Sequence, residues 1–270
     1  MDGPVCISTK FPDPEKLVQI SNNLNLRQYS FYGFLRENSY IQDHLRLSLD
    51  ELPKLKKNYR LSDYCETIDW KIRLCQREYI HLLYYFGEGV YDRRCGSYQF
   101  ENGEFKNYMN VIPREVSGMD ESEEYTNYVW FIDSVEKYLY QFYSSYNLIY
   151  FLVNELFESE IPYKDSSSDF RKKIIQSLKQ KGINDLAELL NEFYQKYEST
   201  VFDWRNSFVH YQNPFKVLTE DTISFCDTRK RIKEFSMIKV KETIDNSWKD
   251  LSELCKNIEK ITAKELKELK

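Results

Sequence analysis

"YTNYVWFIDSVEKYLYQFYSSYNLIYFLVNEL", residues 125–156, decides how the rest of the chain is read. Tyr125, Tyr128, Ile132, Val135, Leu139, Phe142, Tyr146, Ile149, Val153 and Leu156 follow one another in alternating steps of three and four residues. Such spacing keeps one apolar seam on one side of an α-helix. A helix along that seam would be roughly 50 Å long at about 1.5 Å per residue. Val129, Phe131, Tyr138, Phe151 and Leu152 widen the apolar face, so more than one partner surface must cover it. The uncharged run from Tyr138 to Val153 invites a membrane-spanning reading. That run is about 16 residues, short of the ~20 a span needs, and it is rich in Tyr, Ser and Asn. The segment reads instead as a core or dimer helix, with no membrane contact.

Composition points the same way. The chain has 270 residues, enough for one large core, and 16% of them are aromatic, with 22 Tyr and 17 Phe. Only 8 Gly and 7 Pro are available for tight turns, which favours long helices over a many-stranded β fold. The net charge of -5 gives no global attraction to a polyanion, so nucleic acid would have to meet local basic patches. Cys6, Cys65, Cys75, Cys95, Cys226 and Cys255 are widely spaced with no C-x-x-C pair, which argues against disulfides and structural zinc. The opening "MDGPVCISTKFPDPEK" has no basic stretch followed by an apolar core. We therefore expect a cytoplasmic, soluble protein.

The expected fold class is all-α: a helical bundle built round one long central helix, 1–270 as a single helical domain. Asp13-Pro14-Glu15 has the capping residue, early proline and early acid of a helix start. Helical pattern continues, with a break near Gly33, and ends before Pro53. A further helix runs from about Ser62 to Phe86, closed by Gly87 and Gly89. An irregular insertion spans 88–120. Within it, Asn102-Gly103 between two aromatic runs signals a small β-hairpin. Ser168-Asp169 caps a basic helix that Gly182 ends, and Leu186, Leu189, Leu190, Phe193, Tyr197, Val201 and Trp204 line the next. Asp227 or Thr228 opens a charged C-terminal segment whose seam is Ile244, Trp248, Leu251, Cys255, Ile258 and Ile261.

The chain shows no phosphate-binding glycine loop, no dinucleotide fingerprint, no H-E-x-x-H and no nucleophile elbow. No cofactor and no metal is expected. His44 and His81 stand alone on helical stretches and read as structural. What is left is "DWRNSFVHYQNPF", residues 203–215, with Arg205, Asn206 and His210 just ahead of Pro214. Arg205-Asn206-Ser207-Phe208-Val209-His210 resembles the R-x(4–6)-H motif of the HEPN superfamily, in the form with Asn directly after Arg. The resemblance covers residues 120–262, the HEPN-like core. It implies an all-α bundle and metal-independent ribonuclease activity in a homodimer, as in a stress or phage-defence toxin. Some toxin members extend the motif to H-x-Y, whose tyrosine a partner antitoxin modifies. Here that place holds Gln212, with Tyr211 one position early, so modification by such an antitoxin partner has no tyrosine in its usual place.

The residue types suit the chemistry. A histidine with a pKa near ~6.5 can take the 2′-OH proton or protonate the leaving 5′-oxygen of RNA. A guanidinium fork can hold the charge that develops on phosphorus oxygens. Arg205, His210 and Asn206 are the catalytic candidates, with Asn206 orienting His210 or a phosphate oxygen. One histidine cannot act as acid and base at once, which two chains at a two-fold axis would remedy. Candidate RNA contacts are Tyr211, Arg171, Lys172, Lys173, Arg229, Lys230 and Arg231, with Lys179, Lys181 and Lys233 nearby. Trp204 fits the apolar stripe better than a base-stacking role. The alternative to an endoribonuclease is a non-catalytic helical module that binds RNA or a nucleotide, or another protein.

Overall fold

Asp13 does what its place before Pro14 suggests. Its Oδ1 accepts a hydrogen bond from the Glu15 N–H at 2.9 Å and so caps α1 (Pro14–Asn23). The computed structural model describes residues 11–24, 52–101, 104–112, 121–163, 167–210 and 236–268. The elements that follow are α2 (Leu52–Gly87), β1 (Val90–Glu101), β2 (Glu104–Ile112), α3 (Glu121–Leu156), α4 (Ser167–Gln180) and α5 (Asn184–Tyr197). A π-helical turn, Glu198–Phe202, leads into α6 (Asp203–His210), and α7 (Met237–Glu268) comes last.

The all-α expectation holds at the level of class. The expectation of one dominant central helix does not, because α2 and α3 are each 36 residues and α7 is 32. Pro53 itself belongs to a helix. It stands in the first turn of α2, where a missing N–H costs nothing. β1 and β2 pair antiparallel, from Val90 opposite Ile112 to Glu101 opposite Glu104, with an irregularity between Asp92 and Ser97. Residues 102–103 lie outside the described residues, as do the helical reading around Gly33 and the helix start at Asp227 or Thr228.

The chain divides into two compact units, each assembled from three stretches. One takes Met1–Leu26, Arg77–Tyr138 and Asp203–Asn246; the other takes Arg27–Gln76, Leu139–Phe202 and Ser247–Lys270. In the first, Phe86 packs on Phe131 at 5.9 Å and Tyr85 stacks on Trp130 at 6.3 Å. Tyr79 donates to Asp245 Oδ1 at 2.9 Å, and Lys241 both pairs with Asp245 and lies over the Phe86 ring. Asn127 donates to the Glu88 and Gly89 carbonyls, fixing the turn ahead of β1. Gly89 itself has φ 98°, a conformation that suits glycine.

The second unit is built on rings. Phe142, Tyr146, Phe193, Tyr197 and Phe202 form one cluster with centroid separations of 5.1 to 6.1 Å. The α3 seam expected from the sequence is buried. Val135, Leu139, Phe142, Tyr146, Ile149 and Val153 are 0% exposed within the single chain. Of the two readings left open, core or dimer helix, the burial of these residues within one chain supports core. Lys196 and the Tyr197 hydroxyl share Asp250 of α7, so α5 and α7 are tied by a charge-assisted bond.

The end of α3 is strained. Glu158 has φ 48° and occupies the left-handed position just past the helix, where glycine is the usual residue. The turn is held by Ser159 N–H on the Asn154 carbonyl at 3.0 Å and by Asn154's side chain on Ile161 N and O. Against the strain stands an exposed ion pair, Glu158 with Lys57 at 2.5 Å. Left-handed strain costs about 1 kcal/mol, and such a surface pair contributes about 0–1 kcal/mol. Glu158→Gly should therefore match or raise the stability of the parent, by up to about 1 kcal/mol. Glu158→Val should lower it by roughly 1 kcal/mol or more, since a β-branched residue tolerates positive φ poorly. Urea denaturation of the two variants checks both.

Candidate functional site

α6 is short, and its anchor is apolar. Trp204 is 3% exposed, whereas Asp203 and Asn206 on the same helix face solvent and Arg205 is half-buried. Trp204 is thus core, as its place in the stripe suggests. Ser207 Oγ donates to the Asp203 carbonyl one turn back at 3.0 Å. Residues four apart on an α-helix share a face, about 6 Å along the axis. Asn206 and His210 are such a pair of positions. Arg205 lies about 100° round the helix from Asn206, yet its Nη1 donates to Asn206 Oδ1 at 3.1 Å. The asparagine thereby draws the guanidinium toward the stripe on which position 210 stands. This gives a physical reason for asparagine directly after the arginine: it is a local acceptor that carries no charge.

Arg205, Asn206 and position 210 all stand on α6 (Asp203–His210). Tyr211, Gln212, Arg229, Lys230, Arg231 and Lys233 lie outside the described residues, as does His44. The π turn immediately before α6 gives no signal in the sequence, because its apolar steps match those of an ordinary helix. Such turns recur near functional sites, but only as single insertions.

Arg171 does not present its charge to solvent. It is 7% exposed, with Nη1 on Asn147 Oδ1 at 2.9 Å and its guanidinium 4.7 Å from the centroid of the Tyr194 ring. Burial works to lower its pKa, but a hydrogen bond to Tyr143 and the phenols of Tyr143, Tyr146 and Tyr194 outweigh this and raise it. This corrects its expected role as an RNA contact, since a phosphate cannot reach a guanidinium already held inside the unit. Lys172, Lys173 and Lys179 of α4 are exposed. Lys181 is exposed but reaches the α3 end, with Nζ on the Phe157 and Glu158 carbonyls at 2.7 and 3.2 Å.

His81 is half-buried, as a structural histidine would be, and its Nδ1 lies 3.8 Å from Glu78 Oε2. Burial holds its pKa below the ordinary value. Glu78 opposes, Arg77 and Lys137 reinforce, and Asp133 opposes. Among the described residues no group of three or more His, Cys, Asp or Glu is arranged to hold a metal ion. Cys65, Cys75 and Cys255 are buried, and burial pushes the thiols of Cys65 and Cys255 far up, away from the reactive thiolate. No helix among the described residues is long and apolar enough to cross a membrane.

The all-α class and the resemblance read from the sequence both point to the HEPN superfamily, and comparison bears out that membership. The model of the HEPN_Cthe2314-like HEPN family matches residues 77–270, so the chain belongs to that family. The matched stretch starts well before residue 120, and so takes in part of α2 and the two strands as well as the motif. No curated protein and no solved structure matches the chain.

Two outcomes follow from these placements. Arg171→Ala should lower unfolding stability by about 1–3 kcal/mol through lost hydrogen bonds and ring contact, as measured in urea. Weakened RNA binding with stability unchanged would instead return Arg171 to the interface. The lowered pKa of His81 means that below pH ~6.5 the unfolded chain binds more protons than the folded one. Stability should fall as pH drops through that range, and His81→Gln should flatten this part of a melting-temperature profile taken from pH 7.5 to 5.5.

Proposed function

We propose that the protein is a metal-independent endoribonuclease that acts as a homodimer, with Arg205 and His210 as its catalytic pair and Asn206 as the residue that positions Arg205. The observation that carries this reading is the hydrogen bond from Arg205 to Asn206, which draws the guanidinium toward the helical stripe occupied by position 210. Membership of the HEPN family supports it.

In this mechanism His210 of one chain accepts the proton of the attacking 2′-OH, and its counterpart in the second chain protonates the departing 5′-oxygen. Each imidazole has a pKa near ~6.5 and can serve in either state at neutral pH. Arg205 offers two parallel N–H groups to the phosphorane oxygens, where negative charge grows in the transition state. Products are a 2′,3′-cyclic phosphate and a 5′-hydroxyl. Lys172, Lys173 and Lys179 supply counter-charge along the RNA backbone, as do Arg229, Lys230 and Arg231, with Tyr211 as a stacking platform. A role as a stress or phage-defence effector fits an enzyme that degrades RNA without a cofactor.

Arg205→Ala and His210→Ala should each slow cleavage by about 10²- to 10⁴-fold. Helix content should be retained, because Arg205 is only half-buried and each substitution costs on the order of 1 kcal/mol. EDTA should leave the parent rate unchanged, and His81→Gln should cut as the parent does. Light scattering should show a dimer at micromolar concentration. Full cleavage by His210→Ala, or inhibition by chelator, refutes the mechanism. RNA binding without cleavage by the parent protein favours the non-catalytic module.

A further inference from the structure

α2 carries two seams. One is buried and runs through Leu61, Cys65, Ile68 and Ile72, all at most 8% exposed. The other consists of Tyr59, Asp63, Glu66, Trp70 and Arg73, which follow the same alternating steps of four and three, and every one of them is exposed. Tyr59 is 67% exposed and Trp70 58%. All five lie within one unit. Among the described residues, Asp63 and Arg73 join no ion pair, and Glu66 accepts only from Ser62 on its own helix, at 3.2 Å. The other tryptophans are covered: Trp204 and Trp248 are buried and Trp130 is half-buried. A tryptophan at the centre of a solvent-facing heptad seam is the kind of residue that anchors protein interfaces.

We propose that this face of α2 docks a second copy of the same chain, antiparallel about a two-fold axis at Trp70. The order of charges selects that occupant. Acids precede Trp70 and a base follows it, so the sign inverts across the anchor. In an antiparallel self-pairing, Glu66, four residues before the axis, meets Arg73 of the other copy, three residues after it. The axial offset is about one residue rise, ~1.5 Å, which side chains span at the ~8–10 Å separation of packed helices. The two-fold repeats the pair, and the two Trp70 rings meet at its centre. A parallel pairing would set like charges together. A uniformly acidic or basic partner would match only half of the face. This inference goes beyond the ribonuclease reading and does not rest on it, since either can fail alone.

The test is sedimentation equilibrium of the full chain at low and high salt, with tryptophan emission recorded over the same concentrations. The parent should associate with rising concentration, its emission should shift to the blue as Trp70 is covered, and added salt should weaken the step. Trp70→Ala should weaken association by about 30-fold or more. Glu66→Arg and Arg73→Glu should each weaken it by roughly tenfold or more, because each sets like charges opposite one another. An equimolar mixture of those two variants restores both pairs and should associate like the parent, as should the double variant Glu66→Arg/Arg73→Glu. All these positions are exposed, so circular dichroism should match the parent throughout. The proposal is overturned if Trp70→Ala associates as the parent does, if the mixture is no tighter than either variant alone, or if the parent shows no association step. A dimer held by another surface, such as one that would unite two Arg205–His210 sites, would be insensitive to mixing and is thereby told apart.

Discussion

A buried tyrosine hydroxyl has to find a partner, and this requirement at Tyr146 organises the larger part of the second unit. Leaving the hydroxyl without one would cost about 1–3 kcal/mol. Tyr146 is 0% exposed; its hydroxyl shares a 2.7 Å bond with that of Tyr150 and reaches the Leu190 carbonyl at 3.0 Å. Tyr150 reaches the same carbonyl at 3.3 Å. Burial pushes Tyr146 far above the ordinary phenol range and Tyr150 up to about 12, so both stay neutral hydrogen-bonding groups. One carbonyl in the middle of α5 thus sets which part of that helix faces α3. The rings then fill the space around it, with Phe193 and Phe202 each stacked on Tyr146 at about 5 Å.

That arrangement explains the π turn. An α-helix continued from Tyr197 at 100° per residue would bury Val201 and carry Phe202 away from the ring cluster. The wider turn from Glu198 to Phe202 lets both residues go inward, Val201 at 0% and Phe202 at 3% exposure. Phe202 gains stacking contact with Tyr146 and Tyr194, and an edge contact with Tyr143. The motif helix begins at the next residue.

Much of this was legible in the sequence, and the misses have physical causes. Asp13-Pro14, the α3 seam and the seam through Trp248, Leu251, Cys255 and Ile258 could be read directly, because a one-sided apolar stripe has few ways to be buried. Phe202 was absent from the expected stripe because a π turn leaves the three- and four-residue steps of its neighbours intact. Arg171 stands in a run of three basic residues that look alike in sequence. Only Lys172 and Lys173 are exposed, because Tyr143, Asn147 and Tyr194 offer a guanidinium both hydrogen bonds and a ring face. Asn206 could be placed beside the arginine by the motif, but its role as acceptor for Arg205 depends on a side-chain geometry that spacing does not show.

The burial of the α3 seam changes where assembly has to come from. A mechanism with one histidine per chain needs a second chain, and the longest apolar seam is already covered within the first. Among the described residues, contact between copies would then use surfaces whose exposed large apolar side chains are few, such as the α2 face of Tyr59 and Trp70. Such interfaces discriminate well and respond to salt, but are weaker than a helix seam closed by aliphatic packing. A composite site assembled through them would form and dissolve with protein concentration and ionic conditions. On the proposed ribonuclease reading, control of activity would lie in the encounter of two chains, each alone holding half of the acid–base pair.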